Sequence, residues 1–330
     1  MTEEDTVTEQ WEGDYDVVVI GGGAAGLNAA LMLARARRSV VVLDAGEPRN
    51  APAHAVHGLL GREGVPPAEL LERGRAEVRS YGGRVVTAEV DAVSAGGEGR
   101  FTVSTSAGRS VRARRVLVTT GLVDELPDIG GLRERWGRDV VHCPYCHGWE
   151  VRDRRIGVIA NGPMALHQAS LFRQWSSDVV FFSRGMELSG DQREQLLARD
   201  IRIVTGDVDA LVIDDDRITG IRTADGETVA RDVVAVATRM VARAGFLADL
   251  GLTPREHPSG TGDHLPVDAR GETDVAGVWA AGNVTDPSAQ VGNAAAAGAF
   301  AAAQLNGDLV AEDTRVAVAR YRGEPVAVTG

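Results

Sequence analysis

Cysteine is almost absent from this chain, with two in 330 residues. So few cannot staple a small secreted fold, which excludes a disulfide framework and leaves one local pair or nothing. Positive charge is also short: 35 Lys and Arg stand against 47 Asp and Glu, a formal net charge of -12. That balance repels a phosphate backbone and no basic cluster offsets it locally, so nucleic acid is not an expected partner. Long apolar runs are missing as well. Ala294 to Ala303 is short and Ala/Gly-rich, whereas a membrane helix needs about 20 strongly apolar residues. The opening stretch, Met1 to Asp14, carries Glu3, Glu4, Asp5, Glu9, Glu12 and Asp14, the opposite of a basic, apolar signal peptide. No membrane association or export is expected, and the cytoplasm is the expected location. What remains is 44% hydrophobic and 25% charged, an ordinary globular composition for about two domains.

Asp14 to Ile20 is a short apolar run of the kind found in buried parallel strands, leading into Gly21-Gly-Gly-Ala-Ala-Gly26. Leu27 to Arg38 reads as a helix, and Ser39 to Asp44 as a second apolar strand ending in an acid. Gly21, Gly23 and Gly26 fit G-x-G-x-x-G, which permits a tight turn, close approach of backbone to a pyrophosphate, and helix-on-strand packing. Asp44 stands where an acid for a dinucleotide ribose belongs.

Further on, Gly83 to Val93, Phe101 to Ser106 and Ser110 to Thr119 read as a β meander running into Thr119-Thr120-Gly121. Arg155 to Ala165 repeats the strand-then-glycine theme, followed by a helix over Leu166 to Trp175 and a strand over Asp178 to Phe182. The pattern predicts an α/β fold of two Rossmann-like three-layer domains, the second inserted in the first. Asp274 to Asn283 reads as a strand ending at Gly282, Ala294 to Leu305 as a small-residue helix, and 311 to 330 as a polar, loosely held tail.

Both cysteines lie in His142-Cys143-Pro144-Tyr145-Cys146-His147. A zinc site needs four ligands, and only His142 and His147 could complete one, awkwardly close in sequence, so no metal is expected. Cys-x-x-Cys-His also matches haem attachment, which would predict export. The tetrapeptide itself resembles glutaredoxins, but those are small thioredoxin-fold domains, whereas this pair sits between two Rossmann-like units. A redox dithiol facing a flavin remains, since an FAD-type βαβ unit supplies a two-electron partner.

Four motifs in order, Gly21 to Gly26, Thr119 to Gly121, Cys143 to Cys146, and Gly277 to Asn283 followed by Gln290-Val291, resemble the low-molecular-weight thioredoxin reductase family of FAD-binding pyridine nucleotide–disulfide oxidoreductases. The resemblance implies a discontinuous FAD domain over 14–122 and 241–314, an inserted pyridine-nucleotide-type domain over 123–240, tails at 1–13 and 315–330, and a homodimer. It implies that Gly21, Gly23 and Gly26 hold the FAD pyrophosphate and Asp44 the adenosine ribose, with Val90 beside the adenine. Thr120 and Gly121 belong to its second cofactor motif. Gly282 and Asn283 would lie beneath the ribityl and phosphate groups, the amides of Gln290 and Val291 against the isoalloxazine. Asn283 replaces the family's usual Asp, keeping hydrogen bonding without charge. Arg49, Asn50 and His57 would line the cofactor or the substrate mouth.

The resemblance further makes Cys146 the flavin-proximal thiolate and Cys143 the exchange thiol. His147 stands where the family commonly has an acid, and its ordinary pKa of about 6.5 suits proton transfer near neutrality; His142 is a lesser candidate. In the inserted unit, G-x-G-x-x-A is replaced by Ala160-Asn-Gly162-Pro163-Met-Ala165, and the arginine cluster for a 2′-phosphate is reduced to Arg184 with Glu187 nearby. NADPH binding is therefore expected to be weak or absent. A chain keeping FAD and the dithiol but losing this site resembles the dithiol oxidases that close disulfides in natural products such as gliotoxin and holomycin. Oxygen would then be the electron acceptor, giving hydrogen peroxide, with a small-molecule dithiol as substrate. The alternatives are a thioredoxin reductase drawing on NADPH or another donor, and a non-catalytic FAD-binding redox sensor.

Overall fold

A computed structural model describes residues 11–325; residues 1–10 and 326–330 of the two expected tails lie outside the described residues. β1 (Asp14–Ile20) runs through the glycine loop into α1 (Ala24–Arg35) and back as β2 (Val40–Asp44). α2 (Pro67–Ser80), β3 (Arg84–Thr87), β4 (Val90–Ala95), β5 (Phe101–Thr105) and β6 (Ser110–Val118) follow. The stretch expected as one meander strand from Gly83 is thus two strands. β3 joins β2 in parallel, with Val86 opposite the core residue Leu43, and only β4, β5 and β6 form the antiparallel meander.

The chain then crosses through β7 (Leu122–Glu125) to β8 (Val140–Val141), the single turn α3 (Pro144–His147), β9 (Ile156–Ile159), α4 (Ala165–Phe172), β10 (Val179–Phe182), α5 (Gly190–Leu197) and β11 (Arg202–Val204). An antiparallel trio, β12 (Val208–Asp214), β13 (Arg217–Thr223) and β14 (Thr228–Ala230), precedes β15 (Val233–Val236). β16 (Arg239–Ala242) carries the chain back, antiparallel to β7, toward the short hairpin β17 (Arg255–Glu256) and β18 (Asp263–His264), then β19 (Val278–Ala280) and α6 (Val291–Arg322).

Two Rossmann-like sheets result. The larger has the order β3-β2-β1-β6-β5-β4, with β19 pairing in parallel to the end of β6; the smaller is all parallel, β11-β10-β9-β15-β8. The side-chain period of two sorts β1 across its sheet. Val17 and Val19 pack against α1 and α6 through Leu27, Leu33, Ala302 and Leu305, whereas Val18 and Ile20 face the meander through Val93, Phe101 and Val103. Each buried valine or leucine contributes about 1.5–3 kcal/mol. α1 and α6 cross at backbone contact, since a Cβ on Gly298 would lie 2.0 Å from the Ala25 carbonyl oxygen.

The last helix departs most from the sequence reading. The polar composition after Leu305 predicts a loose tail from 311, yet α6 continues to Arg322. Its polar side chains are spent on β6 and its neighbours: Arg115 pairs with Asp308 and Glu312, each at 2.6 Å, and Arg114 reaches Glu312, Asp313 and Asp16. The chain contains no lysine, so these contacts are made by guanidinium groups, whose planar forks match carboxylates.

Candidate active site

One cavity of about 970 Å³ opens between the two sheets. Its first wall is the glycine turn. Gly21 has φ +102°, and a Cβ there would lie 2.6 Å from the Thr119 carbonyl oxygen. Gly26 does not line the cavity; it lets α1 meet β1, for a Cβ on it would sit 1.9 Å from the Gly21 carbonyl oxygen. α1 starts at Gly23 with neither a side-chain cap nor an acid in its first turn, so its free N–H groups face the cavity ready for an anion. Asp44, at the end of β2, accepts the Gly22 amide at 3.0 Å and lies 3.3 Å from Arg75. Val90, Thr120 and Gly121 line the same wall, and the Thr120 hydroxyl donates to the Arg243 carbonyl.

The C-terminal part of the chain supplies the opposite rim. Asn283, Gln290 and Val291 line the cavity, and α6 likewise begins there without a side-chain cap. Gly282 lies underneath, at φ +81°, where a Cβ would approach that of Ala25 to 2.8 Å. Two uncapped helix N-termini, a turn that excludes any Cβ and an acid after the second strand suit a long dianionic dinucleotide such as FAD.

Cys143 and Cys146 open onto this cavity from α3, with their sulfurs 2.6 Å apart. Cys143 is the N-cap of the turn, and its thiol is lowered to about 7, first by the hydrogen bond from Cys146 and then by the amides of Cys146 and Tyr145 and the charge of Arg49, against the opposing effect of burial. Cys146 is pushed up by the same hydrogen bond and by burial. The pair therefore holds its first negative charge on Cys143.

Histidines surround the pair. His147 lines the cavity; burial holds its ring below the ordinary value, with Glu150 pulling the other way, and its Nδ1 has no hydrogen-bond partner among the described residues. His142 Nδ1 lies 3.2 Å from the Val236 carbonyl oxygen and is also pushed down by burial. His57 is held between two carboxylates, Glu63 at 2.6 Å and Glu150 at 3.5 Å. Arg49 and Asn50 line the cavity too, and Arg49 forks onto Asp124. Glu63 and Asp124 stand in no motif, and Glu150 only closes the run from Cys143, so sequence alone gives none of the three a role.

Side chains at the ends of β9 and β10 in the smaller sheet bond to one another and to the backbone. Arg184 Nη1 donates to Asn161 Oδ1 at 3.1 Å, and Asn161 Nδ2 donates to the Ala237 carbonyl at 2.7 Å. Gln168 of α4 donates to the His142 carbonyl at 2.6 Å, so that Met164, His167, Gln168 and Leu171 line the cysteine-bearing cavity.

The family model for pyridine nucleotide-disulphide oxidoreductases matches residues 15–299. The chain belongs to that family. The family's members are FAD-binding flavoproteins, and the protein is an FAD-dependent oxidoreductase of the thioredoxin reductase-like kind. It is 33% identical over 318 residues to thioredoxin reductase tcpT of Claviceps purpurea, covering 89% of this chain and 95% of that one. Thioredoxin reductase sirT of Leptosphaeria maculans is 31% identical, with 88% and 93% covered. Among solved structures, HlmI superposes with a TM-score of 0.86 at 51% identity, covering 92% of this chain and 95% of its own. Among the described residues no helix is long and apolar enough to cross a membrane, and no group of His, Cys, Asp and Glu could hold a metal ion.

Proposed function

We propose that this oxidoreductase is a dithiol oxidase, closing a disulfide in a small-molecule dithiol through Cys143 and Cys146. The observation that carries the reading is the meeting of the dithiol and the glycine turn in one cavity while Arg184 is tied to Asn161 in the other nucleotide loop. Gly21, Gly23, Asp44, Asn283, Gln290 and Val291 would hold FAD, which would supply a two-electron acceptor for the reduced pair, with oxygen as the final acceptor and hydrogen peroxide as the product.

In the oxidised enzyme a substrate thiolate attacks Sγ of Cys143, forming a mixed disulfide and breaking the Cys143–Cys146 bond, with Cys146 leaving as thiolate. The second substrate thiolate then attacks the substrate's own sulfur in that mixed disulfide. The substrate disulfide forms and Cys143 leaves, carrying the electron pair. Its low-lying ionisation makes Cys143 a good leaving group in this second step. Two protons leave the substrate, and His147, held neutral by burial, is the base at the site that can take one. His147 acts here as acid–base residue, His142 as the weaker second candidate. A homodimer in the cytoplasm is the working assembly and location of this reading.

The names of tcpT and sirT favour a second reading, reduction of thioredoxin, with NADPH or another electron donor. Against it stand the missing turn glycine at Ala160, the missing amide at Pro163 and the single Arg184. Of the three arginines that the resemblance implies for a 2′-phosphate, two are missing, and two lost charge-assisted contacts at about 1.5–3 kcal/mol each weaken binding about a hundredfold or more. Anaerobic mixing decides. The flavin of the holoenzyme is expected to stay yellow with micromolar NADPH and to bleach on addition of a dithiol; rapid bleaching by NADPH would establish the reductase instead.

A further inference from the structure

The chain passes between the two sheets twice, through β7 and β16, and these crossings pair antiparallel with Val123 opposite Val241. Asp124 stands on the first crossing and Thr238 one residue before the second. Arg49 comes from a third place, the loop after β2 of the larger sheet. Its Nε donates to Asp124 Oδ2 at 2.6 Å and its Nη2 to Oδ1 at 2.8 Å, while the Thr238 hydroxyl donates to the same carboxylate. The Asp124 side chain is 7% exposed and that of Arg49 28%, so this is a half-buried two-pronged ion pair, the kind whose geometry is well defined.

The guanidinium also lines the cavity that Cys143 and Cys146 open onto, and its charge acts on both thiols. The charged and titratable groups acting on the pair and its neighbours are Arg49, Asp124, Glu150, His57, His142 and His147. Arg49 is the permanent cation among them.

We propose that Arg49 is a positioning residue: by gripping Asp124 where both crossings meet, it fixes the Cys143–Cys146 pair against the cavity of the larger sheet and places a permanent positive charge beside it. Neither the glycine motifs nor the cysteine motif carries this role. A reaction that uses no nucleotide in the smaller sheet gains from holding the pair in one place, because every turnover begins and ends in the same cavity. The effect on turnover rests on the dithiol reading above; the effect on Cys143 ionisation does not.

Two measurements on the holoenzyme separate the two. The first is the rate of Cys143 alkylation by iodoacetamide after reduction and removal of reductant, followed by peptide mass spectrometry against pH. The unaltered protein is expected to show a midpoint of about 7, and Arg49→Gln to show a midpoint moved upward, with about twofold less reactive thiolate at pH 7. Arg49→Lys, which keeps the charge but cannot fork, is expected to retain the midpoint. The second is anaerobic flavin bleaching by dithiothreitol, which Arg49→Lys is expected to slow about tenfold, the consequence of a misplaced pair. An unchanged alkylation midpoint in Arg49→Gln overturns the electrostatic role, and unaltered bleaching in Arg49→Lys overturns the positioning role. If dithiothreitol fails to bleach even the unaltered holoenzyme, the dithiol reading fails, while the alkylation profile still judges Arg49.

Discussion

Asn283 holds Ala289: its side-chain Nδ2 donates to the Ala289 carbonyl at 2.9 Å. The same amide reaches the carbonyls of Asp286 at 3.1 Å and Pro287 at 3.4 Å, so one side chain ties the loop that delivers Gln290 and Val291 to the cavity. The family's usual aspartate has no proton to donate at neutral pH and would turn a carboxylate toward three carbonyl oxygens. Asn283→Asp is expected to cost about 1–3 kcal/mol, read as a melting temperature lower by several degrees and faster loss of FAD on dilution. A variant that melts and retains flavin like the unaltered protein would show that the amide is not what holds this loop.

Gly298 offers a second test, at the crossing of α1 and α6. A Cβ there meets the Ala25 carbonyl oxygen at 2.0 Å and the Ala25 carbonyl carbon at 2.7 Å, backbone atoms with no rotamer to change. Gly298→Ala is expected to push α6 away from α1 and destabilise the protein by about 1–3 kcal/mol or more. Because α1 and α6 both present their N-termini to the cavity, the flavin-to-protein absorbance ratio of the purified variant should fall as well. A stable, fully yellow Gly298→Ala protein would contradict the close crossing.

Acid should unfold the protein in a defined direction. Asp124 is held below its ordinary 3.8, its burial outweighed by Arg49 and Thr238, and Asp139 likewise by Arg135 and the Ile218 amide. Carboxyls depressed in the folded state contribute stability above their unfolded pKa and lose it as pH falls through the folded one. Urea midpoints are therefore expected to fall gently below about pH 6.5, where the unfolded chain protonates His142 and His147 before the fold does, and steeply below about pH 4 as these carboxyls protonate. Asp139→Asn should be less stable at neutral pH and show a shallower acid drop; an equal drop in both proteins would remove Asp139 from the cause.

The first βαβ unit was legible in the sequence because everything that makes it is local: a continuous apolar run, glycines at fixed spacing, an alanine-rich helix and an acid. The cysteine pair was legible for the same reason. α6 was misjudged beyond Leu305 because its polar face finds partners almost two hundred residues away, Arg114 and Arg115 for Glu312. The break between β3 and β4 was invisible because Ala88 and Glu89 are no stronger turn formers than their neighbours; it is the parallel docking of β3 on β2 that sets it. The family resemblance puts Arg49 at the cofactor or substrate mouth, but its partner Asp124 is one acid among many until the fold closes. Gly298 looked like one more small residue in an Ala/Gly run, and only the approach of Ala25 distinguishes it.

The place of β19 also bears on how the chain assembles as it emerges from the ribosome. The smaller sheet draws all five strands from residues 140 to 236 and is complete in sequence before the larger one, whose β6 has its last three residues, Val116 to Val118, waiting for Val278 to Ala280. The first strand made is thus among the last to be fully sheltered, since α6 must arrive to cover Val17 and Val19. Nascent chains of this protein carry an open apolar face for most of synthesis, and contacts of such long sequence separation form slowly.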